Sequence, residues 1–524
     1  MPEQDPNTIN RPTVEPIATN IFDTLARQFP VCMESDEFHY FPQARAKAVD
    51  WSRWDDFSPG AIDRITGQLD RWDRQLGRCL SSPLPPAQVM DADMLKRVVR
   101  TLGEQIALVR VHEVQPTFYL TVTGIGLAEA FASGPQALNA RLQSLPQFLD
   151  QARRNLHRIP RLFRDLGVDM LGKQRAWLKS LSLPGTLRAP IDDALHRLDN
   201  HLRQAPVEDD FLPSLPLYER IARDHMGCLL GPDDIARALD REITETTAIL
   251  KQSAGSMAPG QQWQAVVDGL PRPPMPAGGI ADLYQGFILD LARHCTASGL
   301  IDPELVQSCP VAVAPIPVYM RPVRSNAAYS MPPQHPPRGG TFFIQDAGRT
   351  ATIPADFRLL TAHETFPGHH LLDTCRWGHA RWIRRHIEFP IFYEGWASFA
   401  EELMFDTGFF STPADRLLMA KRRFWRAMRG KVDFDIHTRR RSLDDAAANL
   451  VSAGMAPKRA RAMVRRYCLK PGYQLAYTIG RRRFRFLYDT YCQHGAAPVA
   501  FARGVLAQGE IGFNYLEQTL RQGG

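Results

Sequence analysis

Ala362-His363-Glu364-Thr365-Phe366-Pro367-Gly368-His369-His370 carries more chemistry than any other run in this chain, and it departs from a known template. A zinc-binding helix of the hydrolase type sets two histidines four residues apart, so that both imidazoles reach one metal. A glutamate beside the first histidine serves as general base. Here the fourth position after His363 is Pro367, and the next histidines stand six and seven residues on. On an unbroken helix His370 would share the face of His363 but lie about 10.5 Å further along, too far for metal–nitrogen bonds of about 2.0–2.1 Å. His369 would be rotated off that face by roughly 120°. Pro367 disfavours the α conformation at Phe366, and Gly368 permits backbone angles that other residues avoid. The run therefore predicts a bulge or break at Pro-Gly. His369 is the preferred second ligand after His363, with His370 as the alternative.

Downstream, Tyr393-Glu394-Gly395-Trp396-Ala397 opens a strongly helical segment that reaches about Asp406. Glu394 follows His363 by 31 residues, room for a loop and a return helix. Two histidines and one glutamate leave a coordination position open for water, the arrangement of a catalytic site. The expectation is one Zn2+ per chain held by His363, His369 and Glu394, with Glu364 as the base. In the plainer alternative, Glu364, Glu394, Glu401 and Glu402 are solvated helix surface and the histidines are core groups. That alternative leaves unexplained why a His-Glu pair, two further histidines and a glutamate helix stand together.

Further outward, the first 250 residues or so read as successive helices. Leu142, Leu145, Phe148, Leu149, Ala152 and Leu156 recur mostly at three- and four-residue steps, with Pro146 predicting a kink or a break. Pro232-Asp233-Asp234 starts another helix, whose apolar stripe includes Ile235, Leu239, Ile243 and Ile249. Between Gly255 and Gly279 the prolines 271, 273, 274 and 276 predict a connection or lid. Val311 to Met320 and Thr341 to Gln345 read as short strands, and helical patterns resume from Ala355. The chain should be mainly α with one small sheet near the site. Its regions are 1–254 (helical), 255–310 (proline-rich connection and helix) and 311–524 (strands and zinc-site helices), forming one integrated fold.

Composition narrows the function classes. At 524 residues, with 44% hydrophobic and 23% charged residues, the chain can bury a large core. No run approaches the roughly 18–20 apolar residues of a membrane span. The start, MPEQDPNTINRPTVEP, lacks a basic region followed by an apolar one, so a cytoplasmic location is expected. The eight cysteines form no Cys-x-x-Cys pair, which fits reduced thiols. A net charge of +7 raises the question of nucleic acid, with basic runs at Arg422–Lys431, Arg439–Arg441 and Arg481–Arg483. These alternate with Trp425, Met428, Phe484 and Leu487 at helical spacing, which reads as solvated faces of amphipathic helices rather than a nucleic-acid surface. Gly124-Ile125-Gly126 lacks the third glycine of a dinucleotide loop and reads as a packing or turn feature.

His363-Glu364-x-x-Pro367-Gly368-His369-His370, followed by Glu394-Gly395-Trp396-Ala397, resembles the bacterial family catalogued as domain of unknown function 885. The likeness continues in Val432-Asp433-x-x-x-His437 and Pro471-Gly472-x-x-x-Ala476-Tyr477-x-Ile479-Gly480, and more weakly in Arg141 to Leu156. Where the family usually has Leu-Gln after the paired histidines, this chain has Leu371-Leu372; where the family tends to have Gln after Pro-Gly, it has Tyr473. Members are regarded as gluzincin-like zinc peptidases, similar to the thimet oligopeptidase and Taq carboxypeptidase groups. The resemblance implies two helical lobes flanking a central channel. It also implies a peptide or small amide substrate, with Glu364 taking a proton from water and passing it to the leaving amine. Tyr477 and His437, both in matched segments, are the candidates to face the developing oxyanion, with Asp433 orienting His437. Strand Thr341–Gln345 offers an edge for an extended peptide. Besides a peptidase, the sequence allows a metal-dependent amide hydrolase of small-molecule metabolism or an inactive binding protein of the same fold.

Overall fold

The computed structural model describes residues 13–34, 43–44, 50–317, 327–345, 348, 350–493 and 497–523. Among these, twenty-four α-helices and two π-helical turns leave only seven short strands, so the chain is mainly α. The N-terminal segment read for a leader falls largely outside the described residues. All eight cysteines are free thiols, six of them buried. No helix among the described residues is long and apolar enough to cross a membrane.

Helix α1 (Pro135–Asn155) runs on through Pro146 where the sequence predicted a kink or break. Carbonyls near the proline find donors of their own: Trp54 Nε1 reaches Arg141 O at 3.1 Å and the Ser144 hydroxyl reaches Ala140 O at 2.8 Å. The predicted apolar stripe of Leu142, Leu145, Phe148, Leu149 and Ala152 is buried. Gly126 has a packing role, since a Cβ there would fall 2.5 Å from the Trp54 ring. Helix α2 (Pro232–Met257) starts as predicted, and the proline-rich connection after it contains a short helix at Trp263–Asp268.

Strands β1 (Val311–Pro315), β2 (Ala328–Ser330) and β3 (Gly340–Ile344) form one sheet in the order β1-β3-β2. β1 runs parallel to β3, pairing Val313 with Phe342, and β2 runs antiparallel, pairing Tyr329 with Phe342. The predicted strand from Val311 is shorter than expected, and residues 318–320 lie outside the described set. The Thr341–Gln345 reading needs correcting on position. β3 is the central strand with both sides hydrogen-bonded, so it offers no edge to a peptide.

Five helices carry the candidate site residues: α3 (Phe357–Glu364), α4 (His369–Gly378), α5 (Pro390–Asp406), α6 (Pro413–His437) and α7 (Leu475–Cys492). α5 and α7 cross at two glycines with their backbones touching. A Cβ on Gly480 would lie 2.1 Å from Ile391 O, and one on Gly395 would lie 2.6 Å from Gly480 Cα. α6 begins in a capping box, with Thr412 and Asp415 each bonding the other's backbone N–H.

Of the basic runs, Arg439–Arg441 is exposed as expected, while the other two depart from the solvated faces expected of them. Arg422, Arg423, Arg426 and Arg481 turn inward onto carboxylates. Glu242 of α2 receives Arg423 at 2.7 Å, Arg481 at 2.5 Å and Arg482 at 2.8 Å, tying the N-terminal half of the chain to α6 and α7. Burial works to raise the Glu242 carboxyl, but these guanidinium groups outweigh it and hold the pKa at about 2. An amphipathic pattern does not distinguish a charge facing water from one facing a buried partner on the next helix.

The glycine crossing yields a test. Gly480→Val should lower stability by about 3 kcal/mol or more, because the obstruction is backbone that cannot rotate away. Gly172→Ala, on an exposed helical face with nothing within 4 Å of the added Cβ, should be neutral or slightly stabilising. Thermal unfolding of the two variants against the parent checks the pair. Equal midpoints would show that the crossing is not tight.

Candidate metal centre

α3 ends at Glu364, and Thr365 leaves the helix at φ −121°, ψ −108°. The Phe366–Pro367 peptide is cis, and α4 begins at His369. Gly368 fits this break because a Cβ there would fall 1.9 Å from the His363 carbonyl oxygen. Its N–H instead donates to Ala362 O at 3.1 Å. Trp396 of α5 donates its indole N–H to Pro367 O at 3.0 Å, fixing the break against the helix that carries Glu394.

These constraints bring His363, His369 and Glu394 together, all buried, with one ligand atom of each within 4.8 Å of the others. The Nε2 atoms of His363 and His369 each stand 3.6 Å from Glu394 Oε2. That is long for a hydrogen bond. It is close to the separation of about 3.3 Å between two ligands of one tetrahedral ion at bond lengths of about 2.0–2.1 Å. Glu394 Oε2 is buried with no hydrogen-bond partner, which a shared cation would supply. Nitrogen, nitrogen and carboxylate oxygen form the donor set of a catalytic zinc. The residues fit the ion.

Around this trio, each side chain is held by another. Glu401 lies seven residues after Glu394 on α5, and its Oε1 stands 3.1 Å from His363 Nδ1. Arg426 Nη2 stands at the same 3.1 Å from Nδ1; the tautomer that turns the Nε2 lone pair to the centre is the one in which Nδ1 donates to the Glu401 carboxylate. Arg426 reaches the same Oε1 at 2.5 Å, and Arg422 grips both Glu401 oxygens at 3.0 Å. Burial works to raise the Glu401 carboxyl, but Arg422 and Arg426 outweigh it and keep it ionised. The His369 ring stacks on Tyr393 at 4.1 Å, and the Tyr393 hydroxyl donates to Asp373.

His370, the alternative ligand, is occupied elsewhere. Its Nε2 donates to Cys309 O at 2.9 Å, which leaves Nδ1 to accept the Tyr329 hydroxyl at 2.8 Å. Burial pushes its pKa down to about 4, so it is a neutral bridge between α4 and the sheet.

Glu364 stands outside the ligand trio and is also buried. Burial pushes its carboxyl up to about 7, with His369 opposing and Glu394 adding to the rise, and the backbone N–H of Tyr329 in β2 donates to it. Of the two oxyanion candidates, Tyr477 reaches the centre, hydrogen-bonded to Glu394 and Tyr473. His437 lies behind it, buried, with Nδ1 2.7 Å from Asp433 Oδ1 and its ring stacked on Tyr218. Asp433 in turn accepts the backbone N–H of Gly472 at 3.0 Å and of Gln474 at 2.9 Å. His437 and Asp433 thus brace the turn that presents Tyr473, whose hydroxyl donates to Glu394 Oε1 at 3.1 Å.

Glu401 and Tyr473 are the residues that sequence reading missed. Glu401 had a usable signal, because seven residues on a helix return to within about 20° of the same face. Tyr473 had none, since its position is set by a turn braced from a different helix.

The model of a family described as bacterial protein of unknown function, DUF885, matches residues 44–520, and the chain belongs to that family. No curated protein matches. Among solved structures, "a putative lipoprotein of unknown function from Shewanella oneidensis" superposes with a TM-score of 0.74 at 14% identity, covering 96% of this chain and 98% of that one. A "putative lipoprotein from Colwellia psychrerythraea" gives 0.71 at 16% identity, covering 97% and 98%. At these identities the likeness establishes a shared fold.

Elemental analysis of purified variants tests the centre. His363→Ala, His369→Ala and Glu394→Ala should lose bound zinc, and His370→Ala should keep it. Glu401→Gln should retain the ion but bind it about 10–100-fold more weakly in chelator competition. Unchanged affinity in that variant would show that Glu401 does not orient His363.

Proposed function

We propose that this member of the DUF885 family is a zinc-dependent hydrolase of peptide bonds, a gluzincin-like metallopeptidase whose helices form two lobes around a central channel. The observation that carries this reading is the division of labour around Glu394. Two imidazoles converge on one of its oxygens, two tyrosine hydroxyls approach the carboxylate from another side, and a separate buried carboxyl, Glu364, stands next to ligand His363. Zinc held by the trio would supply a Lewis acid and a water acidic enough to attack near neutral pH.

The chain's own residues then have distinct roles. Glu364 takes the proton of the attacking water and delivers it to the amine nitrogen as the C–N bond breaks. Its raised pKa suits both halves of that exchange. Burial raises the phenol pKa of both Tyr473 and Tyr477, so their hydroxyls stay protonated and can donate to the carbonyl oxygen as negative charge builds there. Glu401, Arg422 and Arg426 keep the His363 ring from rotating, which preserves the geometry on which proton transfer depends.

Zinc-loaded protein incubated with a mixed peptide library and read by mass spectrometry should show cleavage; an untouched library rejects the proposal. Glu364→Gln preserves size but removes the base. It should keep its zinc and its fold while losing hydrolysis by about 10²–10⁴-fold. Near-normal turnover in that variant would remove Glu364 from the mechanism.

A further inference from the structure

α6 presents Arg422, Arg426 and Arg429 at steps of four and three residues, which places them along one helical face. The first two are committed to Glu401. Arg429 is not paired with any carboxylate among the described residues. Its guanidinium lies 4.7 Å over the ring of Tyr477, and its Nε is buried with no acceptor. Arg426 Nη1, one turn away, is also buried with no acceptor. The buried arginines elsewhere in this region, Arg376 and Arg481, are each matched to two or more carboxylates. A half-buried guanidinium left without an anion is therefore an exception in this protein, and it occurs beside the proposed centre.

Tyr477 links the two. Its hydroxyl lies beside Glu394 while its ring carries Arg429, so the cation is one tyrosine away from the trio. Lys470 Nζ lies 5.8 Å from the Tyr473 ring centroid. Each of the two tyrosines thus has a cationic side chain near its ring. An extended chain advances about 3.3–3.6 Å per residue, so an anion one or two residues beyond a scissile bond at the trio falls within reach of the guanidinium. A planar guanidinium matches a carboxylate through two parallel hydrogen bonds.

We infer that Arg429 anchors the C-terminal carboxylate of the substrate, which makes the protein a carboxypeptidase acting on short peptides. This rests on the peptidase reading above and specifies which end of the substrate that site holds. Each turnover breaks the C–N bond one or two residues from the terminus. The water hydroxyl joins the carbonyl carbon, and the proton goes to the departing amine.

Three matched substrates test it: an acetylated tripeptide as the free acid, the same peptide as its C-terminal amide, and an amide whose last residue is aspartate. The native enzyme should prefer the free acid over both amides by about 10²-fold in kcat/KM, in line with the loss of a partly buried charge pair. Arg429→Gln should abolish that preference, mainly through KM, with zinc content unchanged, and Arg429→Lys should restore part of it. Equal cleavage of acid and plain amide by the native enzyme, or a preference that survives in Arg429→Gln, overturns the inference and leaves the peptidase reading standing. Efficient cleavage of the aspartyl amide overturns it in favour of a side-chain carboxylate. If the native protein cleaves none of the three, the peptidase reading falls, and calorimetry decides the anchor separately. The acetylated free acid should then bind native protein and bind Arg429→Gln about 10²-fold more weakly, and equal binding overturns the anchor.

Discussion

The close contact between Gly368 and the carbonyl of His363 is the constraint on which the centre depends. It lets the chain stop one helix and start another within four residues, so that histidines six apart in sequence face a common point. Trp396 then ties the break to α5 by its indole N–H, and Gly395 beside it lets α5 lie directly on α7. In the Glu394-Gly395-Trp396 run, the first residue belongs to the candidate ligand trio, the second permits the close approach and the third is the tether. The short run is informative because three independent requirements meet in consecutive residues.

Charge is the second organising element. Glu401, Glu402 and Glu242 are buried carboxylates, and each is surrounded by two or more arginines from other helices. Removing one partner from such an arrangement typically costs about 3–5 kcal/mol, because the remaining charge is stranded in a medium of low dielectric. These networks contribute orientation more than net stability. The arginines around Glu401 act through it on the His363 ring, which places a structural ion network one hydrogen bond from the proposed chemistry.

The sequence revealed what is local and concealed what is not. The helical class follows from apolar periodicity, the approach of His363 and His369 from backbone restrictions at Pro367 and Gly368, and the return of Glu394 from the spacing of the next helix. The centrality of β3 was not legible, because β2, which covers its second side, is only three residues long and carries little pattern of its own. The inward turn of Arg422, Arg426 and Arg481 was hidden for a different reason. Hydrophobic periodicity assigns polar residues to the far side of a helix, and the far side of α6 or α7 is another set of helices rather than water. His437 illustrates the same limit, since its place behind the tyrosines is set by Asp433, by the 472–474 turn and by Tyr218, which lies more than 200 residues earlier.

That last contact has a bearing on how the halves of this chain can vary. Tyr218 stacks on His437, His437 bonds Asp433, and Asp433 holds the turn that delivers Tyr473 to Glu394. Nearby, Ile391 at the start of α5 donates its N–H to Met226 O of the N-terminal half. The amino-terminal helices are therefore not an independent module beside the one that carries the trio. Their substitutions reach the alignment of the centre through this stack and backbone bond as well as through the Glu242 ion pairs, so sequence drift in one half must be compensated in the other. A graft of residues 311–524 onto a foreign helical scaffold would carry His363, His369 and Glu394 and still lack the surface against which the tyrosines are aligned.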